Sequence, residues 1–248
     1  MMVLGFDIGG TKSAIILAEE MDGQISFLNR VEIKTSSDWK KVIDELIEEG
    51  IKMLHQFNVQ DMNYKIGISC GGPLDGKKGI IQSPPNLPGW DDVPIVDYIY
   101  KSLGVKPKLQ NDADACALAE WKYGAGKGYK NIIFLTFGTG LGAGLILNGQ
   151  LYTGASNMAG EVGHIRLEEE GPVGYGKTGS FEGFCSGGGI AQVAKHKAYI
   201  LEKRGLKASY VKGAIEDITA KDVAEAAQGG HEDALDVFRI SGKYFGRG

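Results

Sequence analysis

The chain has 248 residues, of which 43% are hydrophobic and 23% charged, and its net charge is −4. These values are typical of a globular protein with one large or two modest domains, and they exclude a disordered chain, a coiled coil and a collagen-like fibre. The negative charge, without a long basic run, argues against tight binding of nucleic acid. Three widely separated cysteines indicate neither a disulfide framework nor a cysteine-rich zinc site, and the N-terminus lacks a secretory pattern, so we expect a cytoplasmic protein.

The first half of the chain predicts a mixed α/β arrangement. Strands are expected at 3–9, 11–19 and 24–35, with a hairpin turn at Asp22-Gly23. Apolar residues then recur at three- and four-residue steps from Trp39 to Phe57, after a cap at Ser37 or Asp38, which predicts a helix. Further elements are a strand at 64–69, a helix at 97–103 and a strand at 107–110.

The second half repeats the opening plan after a helix at 113–123. A strand at 132–137, a glycine turn at 138–142 and a strand at 143–147 follow, which suggests two related halves and predicts domains 1–112 and 113–248. Helices are expected at 191–203 and 221–246. No charged residue occurs from Asn131 to Gly160, but the glycines and polar residues there argue against a membrane span.

Glycine is unusually abundant, with 38 residues against 7 prolines. Two glycine turns after apolar strands have the residues of a phosphate cradle, in which backbone N–H groups face an anion. The first comprises Asp7, Gly9, Gly10, Thr11 and Lys12, and the second Gly138, Thr139 and Gly140. Each alone could be an ordinary hairpin, and the second is not a dinucleotide-binding motif because a strand follows it. Together they could hold opposite sides of a polyphosphate.

Asn111 and Asp112 lie at a strand end, directly before a helix. Such residues are usually helix N-caps. An aspartate held there could also accept a proton from a substrate hydroxyl. Both interpretations are open at this point.

Glu161, His164 and Glu182 are flanked by small residues, which suits hydrogen bonding to a polyol. A lone histidine is more often a structural residue, and one histidine without nearby cysteines makes a poor zinc site.

The segment 171–178, GPVGYGKT, matches the P-loop pattern GxxxxGK[ST]. A P-loop needs an apolar strand directly before it and a helix directly after it. Three glutamates at 168–170 precede this segment and would repel a triphosphate. A P-loop nucleotidase, in which Lys177 would bind ATP, is therefore disfavoured.

With these residues in view, the chain resembles the ROK family of sugar kinases and sugar-responsive repressors over essentially its whole length. The segments that carry the resemblance are DIGGTK at 7–12, PPNLPGW at 84–90, NDADACALAE at 111–120, TFGTGLGAG at 136–144 and GEVGH at 160–164. The resemblance implies the actin-like ATPase (ribonuclease H-like) α/β fold, with two domains and a cleft between them. No winged-helix segment precedes Asp7, so the kinase branch is expected rather than the repressor branch.

The resemblance also implies a glucokinase-like enzyme that transfers the γ-phosphoryl group of ATP directly to a hexose, at the 6-hydroxyl, with Asp112 as general base. The implied sugar-binding residues are Gly72, Asn86, Asn111, Asp112, Glu161, His164 and Glu182. The implied nucleotide-binding residues are Asp7, Gly9, Gly10, Thr11, Lys12, Gly138, Thr139, Gly140 and Gly188. Magnesium would accompany ATP near Asp7. A homodimer is the expected assembly, with neither nucleic acid nor a membrane as partner.

Two departures from the family pattern qualify this expectation. The zinc motif CxCGxxGCxE would fall on 173–182, where Val173, Tyr175 and Ser180 replace the three cysteines, so we expect no structural zinc and a segment held by packing. Relatives also continue with a further C-terminal part that carries an adenosine contact. Three options are left open: the chain is a truncated product, a partner supplies this part, or the nucleotide site is degraded. The alternative function is therefore a sugar-binding or regulatory relative without catalysis.

Overall fold

The structure is a computed structural model that describes residues 1–59 and 63–248. Its strands are β1 (Met2–Ile8), β2 (Lys12–Met21), β3 (Gln24–Lys34), β4 (Tyr64–Cys70), β5 (Leu74–Asp75), β6 (Ile80–Ile81), β7 (Lys108–Asn111), β8 (Ile132–Phe137), β9 (Leu141–Leu147), β10 (Gln150–Leu151), β11 (Val173–Gly174) and β12 (Lys177–Thr178). Its α-helices are α1 (Trp39–Gln56), α2 (Ile95–Leu103), α3 (Asp112–Tyr123), α4 (Phe181–Cys185), α5 (Gly187–Glu202), α6 (Ala220–Gln228) and α7 (Glu232–Phe245).

The chain divides into two compact units. The first comprises Met1–Phe134 and Gly144–Met158, and the second comprises Leu135–Ala143 and Ala159–Gly248. The division after Asp112 that the sequence predicts falls inside the first unit, because α3 packs against β4 and β7 of that unit. That the chain consists of two related halves remains a prediction.

The first unit is built on a five-stranded sheet with the order β3-β2-β1-β4-β7. The strands β1, β2 and β3 form the predicted antiparallel meander, and β4 and β7 run parallel to β1. Alternate residues of β1 are buried at Leu4, Phe6 and Ile8, which is the pattern of a strand with one face on a core. The three parallel strands end in register, since Ile8 pairs with Cys70 and Cys70 with Asn111. Residues that follow these strands therefore share one edge of the sheet.

Helix α1 covers the meander with the apolar face that the sequence predicts. Asp38 is its N-cap, and the Asp38 side chain accepts a hydrogen bond from the Lys41 backbone N–H at 3.2 Å. Val42, Ile43 and Leu46 are fully or almost fully buried in the core of the sheet. Asp38, rather than Ser37, is therefore the cap of the helix.

The second unit has its own core among α4, α5, α6 and α7. Ser180 caps α4 and Ser186 caps α5, each through a 3.0 Å hydrogen bond from the backbone N–H of the third residue of its helix. This cap starts α5 at Gly187, earlier than the predicted residue 191. The prediction of one helix over 221–246 is wrong, because Gly229 and Gly230 separate α6 from α7 and Gly230 has a left-handed φ of +81°.

The strands β8, β9 and β10 form a three-stranded sheet with the order β10-β9-β8. In the described part of the chain, no helix combines the length and apolar character needed to cross a membrane.

Candidate functional site

The loop after β1 is fixed by a threonine at the end of β3. The Thr35 hydroxyl donates to the Gly9 carbonyl at 2.7 Å, and the Thr35 backbone N–H donates to the Thr11 carbonyl at 3.0 Å. The Ser13 and Thr35 hydroxyls lie 2.8 Å apart, and both side chains are buried. Sequence analysis missed Thr35, because only strand pairing brings it to the loop.

The two glycines of this loop are required by close packing. A methyl group at Gly9 would lie 2.7 Å from the Lys12 carbonyl oxygen. A methyl group at Gly10 would overlap the Asn86 carbonyl oxygen and lie 3.0 Å from the Asn86 Cβ. The predicted first phosphate loop and the predicted sugar ligand Asn86 are therefore neighbours.

Lys12 lies beside a carboxylate instead of over the glycines of its loop. Its Nζ is 2.6 Å from Glu32 Oε1 on β3, and Arg30 donates to the same carboxylate at 2.8 Å. The charge of the ammonium group is therefore shared with Glu32.

The carboxyl edge of the parallel strands brings the other predicted residues of this unit together. A methyl group at Gly71 would lie 3.5 Å from Asn86 Nδ2 and 3.9 Å from Asp112 Oδ2. A methyl group at Gly72 would lie 3.5 Å from Asn111 Nδ2. One small backbone surface, Gly71-Gly72, therefore faces two amides and a carboxylate.

Asn111 and Asp112 are oriented by the start of α3. Asn111 Oδ1 accepts from the backbone N–H of Ala113 at 2.9 Å and of Asp114 at 3.4 Å, so the N-cap interpretation is confirmed. Asp112 Oδ1 also accepts from the Ala113 N–H, at 2.8 Å. The second oxygen of Asp112 and the amide nitrogen of Asn111 are the atoms that face Gly71-Gly72.

Negative charge accumulates at this edge of the sheet. Partial removal from water raises the pKa of Asp7, Arg30 opposes this shift, and the charges of Asp112 and Glu32 add to it. Burial first, and then the charges of Asp112 and Asp7, raise the pKa of the Cys70 thiol to about 12. A site with this field favours a cation.

A partly buried pair flanks the capping residues in the sequence. Gln110 Nε2 donates to Asp114 Oδ2 at 2.8 Å, and Asp114 is 6% exposed. Sequence analysis did not select either residue, because helix α3 has no clear apolar face and the burial of Asp114 depends on tertiary packing.

In the second unit, the glycine turn 138–140 is bonded to the start of α5. The Gly187 N–H donates to the Gly138 carbonyl at 2.9 Å, and the Gly188 N–H approaches the Thr139 carbonyl at 3.4 Å. The Gly138 N–H closes the turn on the Gly140 carbonyl at 3.0 Å. The predicted second phosphate loop and the predicted nucleotide residue Gly188 thus form one assembly.

Glu182 reaches the same turn from α4. Its Oε2 accepts from the Leu141 backbone N–H at 2.9 Å, and a methyl group at Gly140 would lie 2.8 Å from that oxygen. Glu182 Cβ also lies 3.2 Å from a methyl position at Gly163. Glu182 therefore links the turn to the short 3-10 helix Val162–His164.

His164 ends that 3-10 helix, and its backbone N–H donates to the Glu161 carbonyl at 3.2 Å. Its Nε2 is 3.7 Å from Glu161 Oε2. Its ring centroid is 4.6 Å from that of Tyr175, with 34° between the ring planes. Lys177 Nζ donates to the His164 carbonyl at 2.8 Å.

The segment that matches the P-loop pattern forms a β-hairpin. Val173 pairs with Thr178 and Gly174 with Lys177, so β11 and β12 lie where a P-loop would have its anion-binding turn and helix. No strand directly precedes Gly171. The P-loop alternative is therefore wrong.

Comparison with known proteins identifies the family. The sequence profile of the ROK family matches residues 3–248. The chain belongs to the ROK family. A glucokinase of Streptomyces coelicolor (strain ATCC BAA-471 / A3(2) / M145) is 30% identical over 251 aligned residues, which cover 100% of this chain and 76% of that protein.

The chain is also similar to a solved ROK structure and to a regulator. The ROK glucokinase of Streptomyces griseus in complex with glucose and AMPPNP is 30% identical, with a TM-score of 0.74 over 98% of this chain and 76% of that one. A xylose repressor of Caldicellulosiruptor bescii is 30% identical over 92% of this chain and 56% of that protein. The predicted family and the actin-like ATPase fold are confirmed.

Proposed function

We propose that this chain is an ATP-dependent sugar kinase that phosphorylates a glucose-like hexose at the 6-hydroxyl. The observation that carries the proposal is the edge where Asp112, Asn111 and Asn86 surround Gly71-Gly72 in a ROK chain. Phosphoryl transfer requires mainly alignment, charge neutralisation and a poised acceptor hydroxyl.

Asp112 is the proposed general base. Its Oδ1 is held by the Ala113 N–H at 2.8 Å, which leaves Oδ2 to accept the proton of the sugar hydroxyl. A fixed carboxylate loses little orientational freedom when the substrate binds.

The proposed sugar-binding residues are Gly72, Asn86, Asn111 and Asp112, together with Glu161, His164 and Glu182. This mixture of donors and acceptors suits a neutral polyol.

The phosphates of ATP would be bound by backbone N–H groups of 9–12 and 138–140, with Thr11, Thr139 and Gly188 beside them. Lys12 would contribute its charge after partial release from Glu32, from which it is now 2.6 Å away. Magnesium bound to ATP needs only one or two protein carboxylates, and Asp7 fits because it is solvent-accessible in a negative field. Bound there, the ion would neutralise phosphate charge.

The test is a panel of hexoses and amino sugars with Mg-ATP, with sugar phosphate detected by mass. We expect one strong product. Asp112→Asn should lower kcat by about two to four orders of magnitude, the usual contribution of a general base, while sugar binding measured by calorimetry survives. Asp91→Asn, an exposed carboxylate that is not among the proposed site residues, is the control. Full turnover by Asp112→Asn would refute its role as base.

A second candidate function is sugar binding without catalysis, which the similarity to a xylose repressor supports. It predicts that sugar raises the unfolding temperature while nucleotide does not, because only a ligand of the native state stabilises it. We further propose that the protein is a cytoplasmic homodimer. Light scattering on the purified chain would measure the mass of the assembly and so test the dimer.

A further inference from the structure

We propose that Tyr175 and Lys177 are positioning residues that hold His164 ready for sugar binding. This inference rests on the proposed function, in which His164 is a sugar ligand. Tyr175 lies in the turn between β11 and β12, and Lys177 is the first residue of β12.

The ring of Tyr175 is placed against His164 and not in a core. The two ring centroids are 4.6 Å apart with a 34° angle between planes, which is an attractive arrangement of aromatic rings. Tyr175 is nevertheless 61% exposed. Burial in a core therefore does not explain the aromatic side chain at position 175. Contact with the imidazole of His164 explains it.

The backbone of Tyr175 strengthens this argument. Tyr175 and Gly176 have φ of +48° and +73°, and they connect the paired residues Gly174 and Lys177, as in a type I′ hairpin turn. That turn favours Asn, Asp or Gly at its first central position, and a bulky residue with positive φ is uncommon. Turn formation alone would select asparagine, so the tyrosine ring has a separate use.

Lys177 fixes the backbone beneath the same imidazole. Its Nζ donates to the His164 carbonyl at 2.8 Å. On another side of the ring, Glu161 Oε2 lies 3.7 Å from Nε2. Contacts to the ring face, the backbone and one ring nitrogen limit the orientations open to His164, as a binding residue needs.

The decisive variant is Tyr175→Asn, because turn preference and positioning predict opposite effects. The unfolding temperature should stay equal to or exceed that of the wild type, since asparagine suits the left-handed turn position. The KM for sugar should rise about three- to tenfold, the range expected for loss of an aromatic pair, with kcat and the KM for ATP unchanged. Tyr175→Phe keeps the ring and should restore the wild-type KM.

Two more variants sharpen the test. Lys177→Met should raise the sugar KM without changing the KM for ATP. Val173→Thr is the matched control, because it is an exposed residue of the same hairpin whose backbone hydrogen bonds with Gln192 are retained. It should leave both KM values unchanged.

A sugar KM unchanged in Tyr175→Asn, or raised equally in Val173→Thr, would overturn the inference and leave the proposed function intact. If the wild type phosphorylates no sugar, the proposed function is wrong. The wild type and Tyr175→Asn are then compared by their sugar dissociation constants, measured by calorimetry. A wild type that binds a sugar tighter than Tyr175→Asn does would then support the positioning role. Equal binding, or no binding of any sugar, would overturn it.

Discussion

Asn111 and Asp112 divide two tasks between adjacent side chains. Asn111 caps α3 through its oxygen, and its amide nitrogen faces Gly72. Asp112 is tied to the Ala113 N–H through one oxygen and presents the other toward Gly71. Because the cap fixes the direction of the side chains, the usual structural role of such residues supports a chemical role here.

At Gly10, the close approach to Asn86 leads to a prediction. In Gly10→Ala the new methyl group would overlap the Asn86 carbonyl, so either the loop or Asn86 must move. We expect a loss of about 1–3 kcal/mol in the free energy of unfolding, as for overpacking, and weaker binding of both sugar and ATP. Chemical denaturation and calorimetric titration measure these quantities.

The matched control is Gly67→Ala in β4 of the same sheet. No atom lies within 4 Å of a methyl group at Gly67, and its backbone φ is not left-handed. Alanine there should be neutral or slightly stabilising. If Gly10→Ala behaves like Gly67→Ala, the close approach does not constrain the loop.

At the scale of elements, long periodic segments were predictable and short ones were not. The meander, α1 and the strand β8 follow from apolar patterns, and Asp38 and Asn111 act as caps as their residue types suggest. Two-residue strands and the five-residue α4, which carries Glu182, are too short for a periodic signal. The Lys12–Glu32 pair depends on the register of β2 and β3, which local sequence does not fix.

Helix α6 provides a prediction about pH. Hydrogen bonds from the Thr219 side chain, and then from Lys212, hold the pKa of Asp222 well below its usual range. A depressed pKa means that Asp222 stabilises the fold above its unfolded pKa of about 3.9 and that this contribution is lost as pH falls. Asp222→Asn should therefore have a lower unfolding temperature than the wild type at pH 7, with a smaller difference near pH 3.

Asp217→Asn is the control for this measurement, because Asp217 is exposed and lies in the adjacent 3-10 helix Ile215–Asp217. It should shift the unfolding temperature little at either pH. A difference between Asp222→Asn and the wild type that is independent of pH would contradict the role of the carboxylate charge in the cap.

For the whole molecule, family and fold were predictable because the identifying motifs are spread along the chain. Four of the five lie at the ends of β1 and β7, at the turn before β9 and at the 3-10 helix Val162–His164, and the segment at 84–90 lies between β6 and α2. The boundaries of the compact units were not predictable, since Gly144–Met158 returns to the first unit. That return depends on tertiary packing, which a repeated local pattern does not reveal.

The residues at the family's three cysteine positions lead to a prediction about the metal content of the whole chain. Ser180 caps α4, Val173 pairs with Thr178, and Tyr175 packs on His164, so each position that replaces a family cysteine has a described role without a metal. Within residues 1–59 and 63–248, no group of three or more His, Cys, Asp or Glu side chains could hold a metal ion.

We therefore expect the purified protein to contain far less than one zinc ion per chain by elemental mass spectrometry. A zinc-selective chelator should leave the unfolding temperature unchanged, because the hairpin and its contacts with His164, rather than a coordinated ion, hold this segment. A structural zinc contributes directly to folding free energy, so its removal would lower the unfolding temperature strongly. Stoichiometric zinc together with such a drop would show that other side chains have replaced the missing cysteines as ligands.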